Sequence, residues 1–198
     1  MRTLCVIALL LLGSMLVVAQ DPPSLDTFTS SDGTFQFVYP ENYELLVGER
    51  ILRGTQGRHA GIPVCDFSTA IACVVYPVEG LDNSKLEAAG FSVSTVQGAI
   101  AEQACIQYKD RGLETPPAVL SGSAFRFAST RTTSNGHSQS VYLYRTFRNQ
   151  HCYELRIAVS LAGDFSSAKP ANSNSLGDAR ADSARESLKL ILATFAFR

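Results

Sequence analysis

Three strand-like segments, at residues 124–132, 140–147 and 152–160, constrain the fold of this chain more than any other part of its sequence. Successive side chains of a strand point to opposite faces of a sheet, so a period of two in polarity indicates strands. The odd-numbered positions of these segments carry large apolar side chains, namely Phe125, Phe127, Val141, Leu143, Phe147, Tyr153, Leu155, Ile157 and Val159. Short connections with Asn135-Gly136 and Asn149 favour tight turns. We predict an antiparallel meander whose odd positions face a core.

The even-numbered positions of the meander form its second predicted face, on which polar and aromatic side chains mix. Tyr142 and Tyr144 would share this face with Arg126, Glu154 and Arg156. Aromatic rings beside guanidinium groups can stack on sugars or peptides. Ordinary cross-strand pairing, or a second helical layer, would use the same side chains structurally. Tyr142, Tyr144, Arg126 and Arg156 are therefore candidate binding residues for an unknown ligand.

A long amphipathic helix is predicted at residues 179–194, with Asp178 available as its N-cap. Its apolar positions form one stripe, namely Ala181, Ala184, Leu188, Ile191, Leu192 and Phe195. Such a stripe has to be buried, and we expect it to cover the apolar face of the meander. Shorter elements are predicted elsewhere: strands near 33–47, 73–78 and 91–95, a helix at 83–89, and one or two helical turns at 99–106. The predicted class is α+β.

Residues 1–19 are predicted to be a secretory signal peptide. A single Arg2 precedes an apolar run at 4–18, and Val17-Val18-Ala19 offers small residues for cleavage before Gln20. The alternative is a retained membrane anchor, but the run is shorter than the roughly 20 residues that span a bilayer. We expect residues 20–31 to be a flexible segment and residues 32–198 to form one domain. The expected location is secreted or periplasmic, with no membrane-spanning segment after cleavage.

The charge balance excludes broad electrostatic binding. The chain has 17 Lys and Arg against 18 Asp and Glu, so removal of Arg2 with the signal leaves 17 − 1 = 16 basic residues and a net charge of −2. Such a balance gives no reason to expect nucleic acid as a partner.

Four cysteines remain outside the predicted signal, Cys65, Cys73, Cys105 and Cys152. An even number in an oxidising compartment predicts two disulfides, and four cysteines allow three pairings. We favour Cys65–Cys73, which flank a short chain reversal, with Cys105–Cys152. A zinc site is the alternative, although the spacings lack C-x₂-C pairs and neighbouring histidines.

No familiar catalytic motif occurs in the sequence, and we expect no metal or cofactor. His59, His137 and His151 are isolated from one another. His151 adjoins Cys152, but adjacent strand residues point to opposite faces and cannot easily form a catalytic pair. Acidic residues of the predicted loops are scattered, among them Asp110, Glu114 and Asp164.

Two segments resemble PsbP-like domains: GTFQFVYPENYELL at 33–46, an aromatic strand followed by Tyr-Pro and an extended segment, and SLKLILATFAF at 187–197. The resemblance implies an α/β/α sandwich with a central antiparallel sheet. It also implies a role in binding or assembly in exported compartments, as for the extrinsic protein of the photosynthetic oxygen-evolving complex. The four cysteines depart from that family, and nothing in the sequence indicates photosynthesis.

The function predicted from the sequence is an exported, disulfide-stabilised, non-catalytic binding or assembly module. Its partner would be an unknown protein or cell-envelope component. The alternative is a small exported hydrolase whose acidic and histidine residues converge only in three dimensions.

Overall fold

A seven-stranded antiparallel sheet organises the structure, which is a computed structural model. It describes residues 23–54, 63–65, 69–78, 85–96, 99, 101–107, 117–134, 136–162 and 179–198. The predicted signal peptide therefore lies outside the described residues. None of the helices found in the described ranges combines the length and hydropathy of a membrane span.

The described strands and helices follow one another in this order: β1 (Leu25–Thr29), β2 (Phe35–Pro40), β3 (Glu44–Val47), α1 (Glu49–Gly54), β4 (Ala70–Val75), β5 (Leu86–Thr95), α2 (Glu102–Ile106), β6 (Ala118–Leu120), β7 (Ser123–Ser134), β8 (His137–Arg148), β9 (His151–Ala162), α3 (Ala179–Ala193) and β10 (Ala196–Phe197). The large sheet has the strand order β3-β4-β5-β9-β8-β7-β6, and a small sheet has the order β1-β2-β10. The α+β class, with antiparallel sheets and a C-terminal helix, is confirmed.

One side of the large sheet, here called the helix face, is covered by α3. The helix packs against β5 and β9 and also touches β2 of the small sheet. Its apolar stripe is buried as predicted, because Leu188 is fully excluded from solvent and Ile191 is 2% exposed. Aromatic rings from the small sheet complete this core, with Phe35 5.4 Å from Phe195 between ring centroids.

The other side of the large sheet, here called the disulfide face, carries a second, smaller apolar cluster. It comprises Leu46, Ile51, Val64, Cys65, Cys73, Val141, Leu143 and Ala158. Bonds link Cys65 to Cys73 and Cys105 to Cys152, which is the pairing favoured from the sequence. The second bond ties α2 to β9. Helices therefore lie on both sides of the sheet.

The turn between β8 and β9 contains only two residues, Asn149 and Gln150. Both have positive φ, 50° and 64°, as a tight hairpin turn of the primed type requires. A two-residue turn pairs Arg148 with His151, so every even position of β8 lies opposite an odd position of β9. The turn between β7 and β8 has the same length and the same effect.

This register corrects the predicted faces of the meander. Tyr142 lies opposite Ile157 and Tyr144 lies opposite Leu155, and directly opposite residues point to the same side. The two tyrosines are therefore on the helix face. The prediction that all odd positions share one face is wrong for β8, whose odd positions line the disulfide face: Val141, Leu143 and Phe147.

The predicted helix at 83–89 is also wrong, because residues from Leu86 onward belong to β5. This strand pairs with β4 on one side and β9 on the other, and such tertiary pairing overrides the helix propensity of Leu, Glu and Ala. Gly90 does not end a helix. A Cβ built there would lie 3.0 Å from Val64, so glycine allows the 63–65 segment to approach the sheet.

Strand β1 lies within residues 20–31, the segment predicted to be flexible. It pairs along its whole length with β2, with Phe28 opposite Phe37. Four of its five residues are exposed, so its sequence shows little apolar alternation and it was missed. The ordered structure therefore begins before residue 32.

Candidate functional site

Three half-buried aromatic side chains on the helix face are called here the aromatic strip: Phe127, Tyr142 and Tyr144. Phe127 is directly opposite Tyr144 across β7 and β8, and their ring centroids are 4.9 Å apart. Tyr142 and Tyr144 pack against the main core without being buried in it, and Phe127 contacts Tyr144. They are therefore neither fully packed nor fully solvated.

The aromatic strip is uncharged but offers polar groups. The pKa of Arg185 on α3 is raised, because the nearby Tyr142 hydroxyl and the carboxylates of Glu186 and Asp182 outweigh the lowering effect of burial. Burial raises the pKa of Tyr144, so its phenol is neutral in the physiological range. Ring faces with a hydroxyl at one end suit ligands that are apolar on one side and polar at their edges.

A row of charged side chains crosses the disulfide face and is called here the arginine row: Arg126 on β7, Arg145 on β8 and Glu154 on β9. Arg145 Nε donates to Glu154 Oε2 at 2.6 Å. The Glu154 side chain is 9% exposed and that of Arg145 is 20% exposed. Arg126 is exposed. The row therefore runs from a buried ion pair to solvent.

Arg156 lies two residues beyond Glu154 on the same strand and leads into a buried polar network. Its guanidinium donates to Gln139 Oε1 at 3.5 Å, and Gln139 Nε2 donates to Ser160 Oγ at 3.2 Å. Ser92 faces Arg156 from β5. Its hydroxyl is buried and has no hydrogen-bond partner within the described part of the chain.

The structure divides the four candidate binding residues into two pairs. Tyr142 and Tyr144 lie on the helix face, whereas Arg126 and Arg156 lie on the disulfide face. One ligand cannot contact both pairs at once because the sheet separates them, so the shared face was predicted wrongly. A binding role for either pair stays a prediction.

Sequence reasoning missed Arg145, which belongs to the arginine row, and Arg185, which lies near Tyr142 of the aromatic strip. Arg145 occupies an odd position of β8, a set that the alternation assigned to the core. The two-residue turns were the signal that would have placed it beside Arg126 and Glu154. Arg185 is brought to Tyr142 by the packing of α3, which the local sequence does not specify.

The described histidines make different contacts. His137 Nδ1 lies 2.8 Å from Glu87 Oε2, whereas the exposed His151 packs its ring 6.2 Å from that of Tyr153. Cys152 is bonded to Cys105, so it offers no thiol to His151. His59, Asp110, Glu114 and Asp164 lie outside the described residues.

The described ranges contain no group of three or more His, Cys, Asp or Glu side chains arranged to hold a metal ion.

No protein-family model matches the chain, and no curated protein matches it. Solved structures do match. LpqN, described as involved in cell envelope biogenesis of Mycobacterium tuberculosis, is 11% identical with a TM-score of 0.46 and covers 88% of this chain and 90% of its own. PsbP (CyanoP) from Synechocystis sp. PCC 6803 is 11% identical with a TM-score of 0.45 and covers 94% and 99%.

A third solved structure comes from Bacteroides thetaiotaomicron VPI-5482. It is 10% identical with a TM-score of 0.44, and the match covers 87% of this chain but only 48% of that protein. One of these neighbours is a PsbP protein, the kind of domain that two segments of the sequence resemble. Because all three TM-scores are below 0.5, we transfer no fold assignment, residue or role from these likenesses.

Proposed function

We propose that this chain is an exported, non-catalytic binding or assembly module that binds a cell-envelope component through its aromatic strip. The observation that carries this proposal is the position of Phe127, Tyr142 and Tyr144, half-buried on the helix face of the sheet. Rings in a fully packed core cannot meet a ligand, and isolated exposed rings give little contact area. A cluster at the margin of a core provides a rigid surface with little entropy to lose on binding.

The two disulfides support the exported location. Their four cysteines are at most 2% exposed, so the bonds are built into the folded core and are not accessory links at the surface. Such bonds persist in oxidising compartments and are rare in the cytosol. Together with the apolar segment at 1–19, they favour a secreted or periplasmic protein.

The test is co-sedimentation of the purified protein with insoluble envelope polysaccharide and, separately, its retention by envelope proteins coupled to resin. We expect Tyr144→Ala to weaken the interaction at least tenfold while the melting temperature stays near that of the wild type. Tyr76→Ala is the matched control, because Tyr76 is a half-buried tyrosine of the same core that packs against Tyr43. It should leave binding unchanged.

Unchanged binding by Tyr144→Ala would overturn the proposal. If that variant unfolds, Tyr144→Leu keeps apolar volume in the core but removes the aromatic face. A stable Tyr144→Leu variant with wild-type binding would assign Tyr144 to packing.

A hydrolase is the second candidate, and one contact favours it. The bond between His137 Nδ1 and Glu87 Oε2 orients the imidazole as a carboxylate does in catalytic triads. Such a site also needs a nucleophile at the other ring nitrogen. Hydrolysis of nitrophenyl esters by the wild type that disappears in His137→Ala would establish catalysis and contradict the non-catalytic proposal.

A further inference from the structure

We propose that this chain forms a twofold-symmetric dimer in which the outer edge of β7 pairs, antiparallel, with the same edge of a second copy. The outer edge is the side of residues 126–134 that faces away from β8. This interface goes beyond the proposed function, because its partner is another copy of the chain and its contacts are made by backbone groups.

Strand β7 is much longer than its outer neighbour in the sheet. β6 pairs only with Ser123, Ala124 and Phe125, whereas β8 pairs with the nine residues that follow them. No described strand lies along the outer side of those nine residues. Five of the six residues from Ser129 to Ser134 are exposed, so this stretch of the edge meets solvent.

The turn after β7 decides which of its backbone groups point outward. A two-residue hairpin turn closes with a hydrogen-bonded pair, here Ser134 with His137. Such pairs alternate along an antiparallel ladder, so the even-numbered residues of β7 bond β8 and the odd-numbered residues direct their N–H and C=O groups away from it. Ser129 and Thr133 are two of these, and no described strand accepts or donates on their outer side. Outward groups of this kind form a template for another strand.

The other sheet edges in the described ranges are short or blunted. β3, β6 and β10 have four, three and two residues. β1 has five, and the Asp26 carboxylate accepts the Thr27 N–H at 2.7 Å, which occupies one of its backbone donors. Proteins protect exposed edges by such means, and also by Pro and by bulges. Residues 126–134 contain no Pro and pair with β8 without a register shift, so this edge has neither protection.

The sequence of the outer edge is complementary to itself, which points to a second copy as the partner. A twofold axis perpendicular to the sheet at Thr130 places the two Thr130 residues opposite each other. Arg131 then lies opposite Ser129 of the second copy, and Phe127 lies opposite Thr133. No like charges face each other in this register, and hydroxyl-bearing pairs are favourable between strands. The axis also makes the contact isologous, so the assembly closes as a dimer.

The dimer places both aromatic strips on one side of a continuous sheet, because an axis perpendicular to the sheet keeps each face on its own side. The two Phe127 residues are six positions apart along the paired strands, about 20 Å. A polymer with repeating units can contact both strips and is then held more tightly than by one strip. This consequence rests on the proposed function. The dimer itself does not, since its mass is measured without any ligand.

The first experiment is sedimentation equilibrium of the purified protein over a wide range of concentrations. We expect the mass to rise from that of one chain to that of two. Ser129→Pro removes an outward N–H, and Pro is tolerated on an edge strand at such a position. It should raise the dissociation constant at least about tenfold, because the symmetry removes two hydrogen bonds at once. Thr29→Pro is the matched control at an exposed position of the edge strand β1, and it should leave the dissociation constant unchanged.

A charge exchange tests the register. Thr130 is partly exposed, so longer charged side chains can reach solvent from it. Thr130→Glu and Thr130→Lys should each be monomeric, because like charges lie directly opposite, and an equimolar mixture should form a heterodimer. Thr132→Glu and Thr132→Lys are the controls, because Thr132 lies opposite Ala128 of the second copy in this register. Each should dimerise alone, and mixing them should give no preference.

The two sets of variants keep the result decisive. If Ser129→Pro does not fold, the Thr130 pair settles the question, since recovery of the dimer on mixing shows that both chains are folded. A wild-type protein that stays monomeric at every concentration would overturn the proposal, even if it takes up an extended peptide of another protein. Dimers of Thr130→Glu alone that are as tight as those of the wild type would overturn it as well.

Discussion

The two sides of the seven-stranded sheet are closed in different ways. The helix face is covered by a 15-residue helix whose apolar stripe meets aromatic side chains from both sheets. The disulfide face is covered by short segments, including α1 and α2, and both disulfides lie there. It also carries the buried polar residues Ser92, Ser94, Gln139, Glu154 and Ser160.

This difference shows how one sheet can use two sources of stability. A long amphipathic helix buries enough apolar area to hold its face by the hydrophobic effect alone. Helices of five or six residues cannot do so, and isolated helices of that length are not stable. Covalent bonds reduce the entropy of the unfolded chain instead, which explains why the cross-links are on the side with the shorter helices.

The largest expected loss of stability comes from removing a disulfide from the disulfide face. Replacing Cys105 and Cys152 together by alanine opens a loop of 47 residues and should reduce the free energy of unfolding by about 4 kcal/mol on the loop-entropy argument. The same change at Cys65 and Cys73 opens a loop of 8 residues and should remove about 2.5 kcal/mol. Urea denaturation of both variants measures the difference. The reverse order would contradict the entropic account.

The sequence predicted the parts of the fold whose signal is local and strong. The strands β7, β8 and β9 alternate over many residues, and α3 carries an unbroken apolar stripe, so both were found close to their observed bounds. Strand β1 and helix α1 were missed because each is short, and β1 is mostly exposed. Contacts outside each segment, which its own pattern does not encode, fix both: β1 pairs with β2, and α1 packs against β3 and β4.

The candidate sites were harder to predict because they depend on register. A shift of one residue between neighbouring strands moves every side chain to the other face. The alternation along β8 was recognised correctly. Which face of β8 matches which face of β7 and β9 is set by the two-residue turns. Tyr144 and Arg145 therefore exchanged faces relative to the prediction. The contact between Arg185 and Tyr142 depends on where α3 docks, which no local pattern specifies.

A second prediction tests the helix face with two leucines of the same helix. Leu188 is fully buried and Leu190 is 71% exposed. Leu188→Ala should reduce the free energy of unfolding by about 3 kcal/mol, since it removes buried methyl groups and leaves a cavity. Leu190→Ala should change it by less than about 0.5 kcal/mol. Similar losses in the two variants would show that α3 does not hold this face by burial.

The smallest expected effect on stability comes from the Tyr43 hydroxyl on the helix face, at neutral and at alkaline pH. Burial raises the pKa of Tyr43 and of Tyr144, because their charged forms are poorly solvated in this core. The Tyr43 and Ser187 hydroxyls share a hydrogen bond that links the start of β3 to α3. Tyr43→Phe should therefore lose about 1 kcal/mol at pH 7, measured by urea denaturation.

The dependence of the free energy of unfolding on alkaline pH separates ionisation of Tyr43 from loss of that hydrogen bond. The folded protein favours the neutral phenol, whereas the unfolded chain ionises near its ordinary pKa of about 10. Stability is thus fully present below pH 10 and falls as pH rises from there through the raised pKa of the folded state. Tyr43→Phe cannot ionise and should decline less steeply. Ser187→Ala removes the same hydrogen bond but keeps the phenol. Because that bond lowers the pKa of Tyr43, this variant should decline at least as steeply as the wild type. Identical slopes for the two variants would show that Tyr43 does not cause the alkaline loss.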